Sequence, residues 1–183
     1  MTAFGVHHVP YCFKLNVCII RTYSKPICSA IENLGTVPAL LHLHLPCHSI
    51  TSITPVLACS ALQTLNLADN EISHLGSLLQ LPKLEEVDVS GNRLTCVPQQ
   101  HRKQARIHTL KLARNRLASV SDLEHLRALI NLSALTLEGN PLAAQEHTRS
   151  YAIFRLRSLD TLDTAGITAG EPNLIYPNLS NLV

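Results

Sequence analysis

Tryptophan is absent from this chain of 183 residues, and aromatic side chains make up only 4% of it. Its core must therefore be filled by aliphatic residues, and with 46% hydrophobic content there are enough for one domain of ordinary size. Charge of one sign is scarce as well. Fifteen basic and thirteen acidic side chains leave a formal +2, too little in itself to direct the chain to nucleic acid or an anionic membrane. No apolar stretch approaches the roughly 18 residues that a membrane-spanning helix needs. The run Val17 to Ile20 is too short for a signal peptide, and no membrane association is expected. No acidic residue precedes Glu32, so Lys14, Arg21 and Lys25 give the first stretch a faint likeness to a transit peptide, the weaker reading. No CxxC pair occurs. The six cysteines stand singly at positions 12, 18, 28, 47, 59 and 96, a spacing that favours reduced thiols inside a cell over a disulfide framework. GxSxG, a phosphate-binding glycine loop and HExxH are all missing. Neither catalysis nor a cofactor is expected.

What is plentiful is leucine, roughly one residue in six, and it recurs with a period of about 22 residues. Leu62-Gln-Thr-Leu65-Asn-Leu67-Ala-Asp-Asn70-Glu-Ile72 is followed by Leu84-Glu-Glu-Val87-Asp-Val89-Ser-Gly-Asn92-Arg-Leu94. Ile107-His-Thr-Leu110-Lys-Leu112-Ala-Arg-Asn115-Arg-Leu117 and Leu132-Ser-Ala-Leu135-Thr-Leu137-Glu-Gly-Asn140-Pro-Leu142 repeat it. The asparagines lie 22, 23 and 25 residues apart. A weaker copy holds Leu40, Leu43, Leu45, Ile50 and Ile53, with His48 in the asparagine's place. This is the LxxLxLxxNxL pattern of leucine-rich repeats, and it implies an α/β right-handed solenoid of about five repeats with a parallel sheet on its concave face.

Elementary chemistry accounts for each position. LxLx alternation makes a short strand whose leucines share one face, and stacked strands merge those leucines into a common core. The turn after each strand leaves backbone polar groups inside, out of reach of water. An asparagine amide offers both donor and acceptor, so Asn70, Asn92, Asn115 and Asn140 are expected to form a structural ladder between coils. In the return segments, Ser121-Asp-Leu-Glu124 has the form of a capping box. It predicts a helix carrying Leu123, Leu126, Leu129 and Ile130 toward the core.

After Pro141 the pattern changes. Ala143 to Leu156 reads as a helix bearing Tyr151, Ile153 and Phe154, and Leu156-Arg-Ser-Leu159-Asp-Thr-Leu162-Asp163 as a final strand covering the last leucine layer. A tyrosine-led helix, LxxLxxLD and then Ile167-Thr168-Ala-Gly-Glu171 resemble the C-terminal cap of intracellular leucine-rich-repeat proteins. That group includes phosphatase-1 regulatory subunits, a spliceosomal protein that partners an RNA-recognition-motif protein, and ciliary proteins. Ser119 to Leu162 is especially similar to the N-terminal repeat block of centriolin. The resemblance implies a non-catalytic adaptor in the cytoplasm, at a centrosome or cilium. A phosphatase-recruiting subunit or an RNA-processing component are the alternatives. The expected division is a poorly defined segment 1–36, a repeat domain with cap over 37–163, and an irregular tail 164–183. The tail lacks the heptads that relatives carry after the cap, which a truncated or spliced product would explain.

On this repeat the positions flanking the strand leucines face the concave side. They gather Thr64, Asn66, Asp69, Glu86, Asp88, Lys111, Arg114, Thr136 and Glu138, with His42, His44, Cys47, Ser90, Thr109 and Asp163 as extensions. A protein partner is expected there, with Asp88 beside Lys111; the oligomeric state is open. His42-Leu-His44-Leu-Pro-Cys47-His48 has metal-like composition, but His48 points inward, so no metal is assigned. Arg102, Lys103, Arg106, Lys111, Arg114 and Arg116 form a basic run, yet strand geometry scatters them and no stacking aromatics interleave. Nucleic acid is therefore disfavoured. Leu110→Asp should bury an unpaired charge and unfold the array, while Leu67→Ala should cost about 2–5 kcal/mol. Urea denaturation followed by circular dichroism checks both.

Overall fold

The computed structural model describes residues 39–99 and 106–168, together with 18–21, 31, 34 and 171. Cys12, Cys28, Arg102, Lys103 and the segment 172–183 lie outside the described residues. Among the described residues eight strands form one sheet in chain order. They are β1 (Cys18–Arg21), β2 (Leu40–His44), β3 (Thr64–Asn66), β4 (Glu86–Asp88), β5 (Thr109–Lys111), β6 (Ala134–Thr136), β7 (Thr161–Leu162) and β8 (Ala165–Gly166). Every neighbouring pair is parallel except β7 and β8.

Register follows from the leucines. Leu43, Leu65, Val87, Leu110, Leu135 and Leu162 lie side by side across β2 to β7. None is more than 2% exposed. A one-residue slip on any strand would turn its leucine out of this layer, so burial fixes the register. Behind it Leu67, Val89, Leu112 and Leu137 make a second buried layer, and short 3₁₀ turns such as Leu78–Gln80 carry the chain back.

The asparagine ladder connects the coils. Asn92 Oδ1 accepts from the Ile72 amide at 2.9 Å, while Nδ2 donates to Leu67, Val89 and Ser90 carbonyls at 2.9–3.2 Å. Asn70 treats Ile50 and Leu45 in the same way, Asn115 treats Leu94 and Val89, and Asn140 treats Leu117 and Leu112. Each amide therefore bonds its own turn and the coil before it, not the coil after. His48, at the weak copy's ladder position, is buried.

Several local expectations are corrected. β1 stands within 1–36, a segment without the repeat signature, because parallel pairing to β2 is made by backbone and needs no leucine period. The 164–183 stretch opens with β8, which folds back on β7 at the end of the sheet. The helix read over 143–156 divides into a 3₁₀ turn at Pro141–Ala144 and α2 (Thr148–Arg155), separated by left-handed His147. Ser121 makes no side-chain cap on α1 (Asp122–His125); its hydroxyl bonds Ser119 Oγ at 2.6 Å instead. After α1 the chain tightens into a 3₁₀ turn, which shifts the helical phase. Leu129 stays inside as expected, but Ile130 is turned out and 44% exposed.

Glu124 does not reach back because it is taken by the cap. Its carboxylate accepts from Tyr151 Oη at 2.6 Å, from Arg155 Nε and from Arg127 Nη1. Burial works to raise this carboxyl, but the bonds from Arg155, Tyr151 and Arg127 outweigh it and hold it below its usual value. An ion-paired clamp thereby ties α2 to the last repeat. The ladder yields the sharper stability test. Asn92→Ala leaves the Ile72 amide and Leu67 carbonyl unsatisfied inside the solenoid and should cost about 2–5 kcal/mol. A lower urea midpoint at unchanged slope is the expected reading.

Candidate functional site

The alternation that buries Leu65, Val87 and Leu110 turns their neighbours to the opposite face. His42, Thr64, Glu86 and Thr109 form one lateral row, ending at Ala134, and His44, Asn66, Asp88, Lys111 and Thr136 form the next. Glu86 and Lys111 are exposed and Thr64, Asn66, Asp88 and Thr136 half-buried, so the sheet presents an open polar trough over β2 to β5. Asn66 and Asp88 also accept from the Ala68 and Ser90 amides at 3.0 and 3.1 Å, which anchors both side chains. Ser90, grouped with this face by spacing, is buried.

One edge of the trough follows the residue just ahead of each ladder asparagine. Asp69, Gly91, Arg114 and Gly139 occupy that place, and Cys47 ahead of His48 and Asp163 ahead of Thr164 the equivalent one, all with φ between +53° and +74°. The chain must bend into this left-handed region to swing the next side chain inward, a conformation glycine adopts at no steric cost. Gly91 has a second task. Arg114 reaches across it to Asp69, Nη2 to Oδ1 3.2 Å, and a Cβ on Gly91 would stand 2.1 Å from that oxygen. The Gly91-Asn92 dipeptide was the available signal for this spacer; leucine periodicity passes over it.

Charges on the face partly cancel. Lys111 Nζ lies 3.5 Å from Asp88 Oδ2 as the register requires, and Asp69 is paired with Arg114. Asp163 Oδ1 receives the Leu137 and Glu138 amides at 2.6 and 2.8 Å, so its carboxylate closes the end of β6 instead of facing a ligand. Glu86 and Glu138 have no ion pair among the described residues, which leaves the trough slightly acidic. His42 Nδ1 is bonded to Thr64 Oγ1 at 2.6 Å while His48 is inside, so the N-terminal histidines do not converge. Among the described residues no three His, Cys, Asp or Glu side chains are placed to share a metal ion.

Gly91→Ala should lower stability by about 1–3 kcal/mol through backbone strain and loss of the Asp69–Arg114 contact. Gly76, also left-handed but with open space around it, is the control: Gly76→Ala should carry the backbone strain alone. Thermal unfolding of the two variants checks the difference.

A family model for leucine-rich repeats matches residues 21–172. U2 small nuclear ribonucleoprotein A′ of Schizosaccharomyces pombe is 31% identical over 153 residues, covering 83% of this chain and 54% of that protein. The human serine/threonine-protein kinase 11-interacting protein is 36% identical over 117 residues, 62% of this chain but only 10% of that protein. The chain thus spans about half the length of the U2 A′ relative it matches. A chain in the crystal structure of the Drosophila melanogaster SNF/U2A′ complex superposes with a TM-score of 0.56 at 22% identity, covering 86% of this chain and 77% of that one. The finer likeness read from the cap is corrected: these relatives are neither centriolin nor phosphatase-1 subunits. With its strands, ladder and cap in place and the family model covering most of its length, the chain belongs to the leucine-rich-repeat family.

Proposed function

We propose that the chain is a non-catalytic adaptor that docks a protein partner on the concave sheet, as a component of a nuclear RNA-processing particle. The observation that carries the first part is the pair of polar rows, one across β2 to β5 and the other across β2 to β6, with Thr64, Asn66, Glu86, Asp88, Lys111 and Thr136 held in register. Backbone pairing fixes their spacing, so a partner meets a preorganised surface and little ordering entropy is lost on binding. Asp69, Arg114 and Glu138 border the same surface.

The second part rests on the likeness to U2 small nuclear ribonucleoprotein A′ from several organisms, and on the solution of one such protein in complex with SNF. These relatives favour a nuclear site of action over the cytoplasmic, centrosomal or ciliary one implied by the earlier resemblance. A protein is favoured over RNA at this face because Glu86 and Glu138 would repel phosphate, while a basic side chain would meet them directly.

The double variant Asp88→Lys/Lys111→Glu keeps the internal ion pair but inverts its polarity, so folding should be preserved. Tagged wild type is expected to retain an RNA-recognition-motif protein from nuclear extract, and the variant to lose it by about tenfold or more. Unchanged recovery would remove the concave face from consideration, and recovery of a phosphatase or of centrosomal proteins would favour the other readings.

A further inference from the structure

Two large hydrophobic side chains stand exposed among the described residues, Ile130 at 44% and Phe154 at 39%. Though 24 residues apart in sequence, they line one groove, off the sheet, where the return segments approach β6 and β7. Leu129 and Leu156 also line it and are themselves buried. Isolated exposed apolar residues are ordinary on any surface, whereas a pair sharing a groove calls for a cause.

The repeat does not supply one. In four coils the first leucine of the motif donates its amide to the carbonyl three residues earlier: Leu62 to Cys59, Leu84 to Leu81, Leu132 to Leu129 and Leu159 to Leu156. The residue that follows each acceptor occupies an equivalent surface position. It is Ser60, Pro82, Ile130 and Arg157 in turn, so an exposed branched aliphatic is not what the coil itself demands.

Charge points to the occupant. Arg127, Arg155 and Arg157 surround the apolar pair, and Arg157 lies over the Phe154 ring at 5.6 Å from its centre. The carboxylate of Glu124 is shared between Arg127 and Arg155, so the groove keeps a net positive charge. We propose that this groove receives a segment of a partner protein that combines acidic residues with a leucine or aromatic side chain. The apolar side chain lies against Ile130, Phe154 and Leu129, and its carboxylates meet Arg157 and Arg127. RNA fits less well, because an aliphatic lining with a single ring offers no platform for successive bases.

The test uses the full chain and short fluorescent peptides in which glutamates flank a Leu-Phe pair, with lysine-for-glutamate peptides as controls, followed by anisotropy. The acidic peptide should bind at least about tenfold more tightly than its lysine counterpart, and more weakly as salt rises. Arg157→Glu and Ile130→Ser should each abolish most of that binding at an unchanged urea midpoint, both side chains being exposed. Asp88→Lys/Lys111→Glu should leave it intact, which separates this groove from the concave site. Absence of peptide binding, or binding indifferent to Arg157→Glu and to salt, overturns the proposal. So does a single-stranded RNA oligonucleotide held through the same residues, or self-association that Ile130→Ser abolishes.

Discussion

No coil of this chain can complete itself, and the whole molecule follows from that constraint. The turns after the strands carry amides and carbonyls into the interior, and the amides of Ile50, Ile72, Leu94 and Leu117 are met by an asparagine from the following coil. Asn92 alone binds the Ile72 amide and the Leu67 carbonyl behind it while holding its own turn through Val89 and Ser90. The hydrophobic effect supplies the driving force by stacking leucines, but it is non-directional. The amide bonds add direction, setting how far one coil lies from the next. An unsatisfied buried polar group costs more than a satisfied one gains, so the ladder acts chiefly by excluding other spacings.

That dependence explains what could be read from the residues and what could not. Strand positions, their register and the ladder were legible because each recurs, and a period is visible wherever four copies agree. Features made by contacts between unlike segments were not. Glu124 has the local spacing of a helix cap, yet Tyr151 and Arg155 from the cap helix outcompete Ser121 for its carboxylate. Two guanidiniums and a phenol offer charge-assisted bonds that a backbone amide cannot match. Ile130 looked like a core residue beside Leu129 on a continuous helix, and the change to a 3₁₀ turn after His125 keeps Leu129 inside but turns Ile130 out. Strand β1 left no trace because parallel pairing with β2 needs no leucine period.

The candidate site shows the same division. Its residues were placed by strand alternation, so Thr64, Glu86, Asp88 and Lys111 came together as the repeat required. How much of their charge remains for a partner was not legible, since that depends on lateral pairing. Arg114 and Asp69 come from coils two apart and meet only because Gly91 between them has no side chain. Asp163 carries a charge on the same edge but gives it to two backbone amides. Among the described residues the face is left with Glu86 and Glu138 as carboxylates without an ion pair, a weaker and more acidic signature than the composition implies.

The end of the array reverses the logic of its middle. Inside the solenoid every coil is constrained by two neighbours, and exposed positions on the return side are free to be small or polar, as at Ser60 and Pro82. The last coil has a repeat on one side only, so a different structure must seal it. The seal is α2, locked to α1 through Glu124, and the lock decides which of its residues can be covered. Tyr151 and Ile153 are turned inward by it, which leaves Phe154 on the opposite side next to Ile130. A groove beside arginines is thus a geometric consequence of closing the solenoid with an ion-paired helix. Closing it does not require those two positions to be hydrophobic, and the choice of isoleucine and phenylalanine there is the part that stability leaves unexplained.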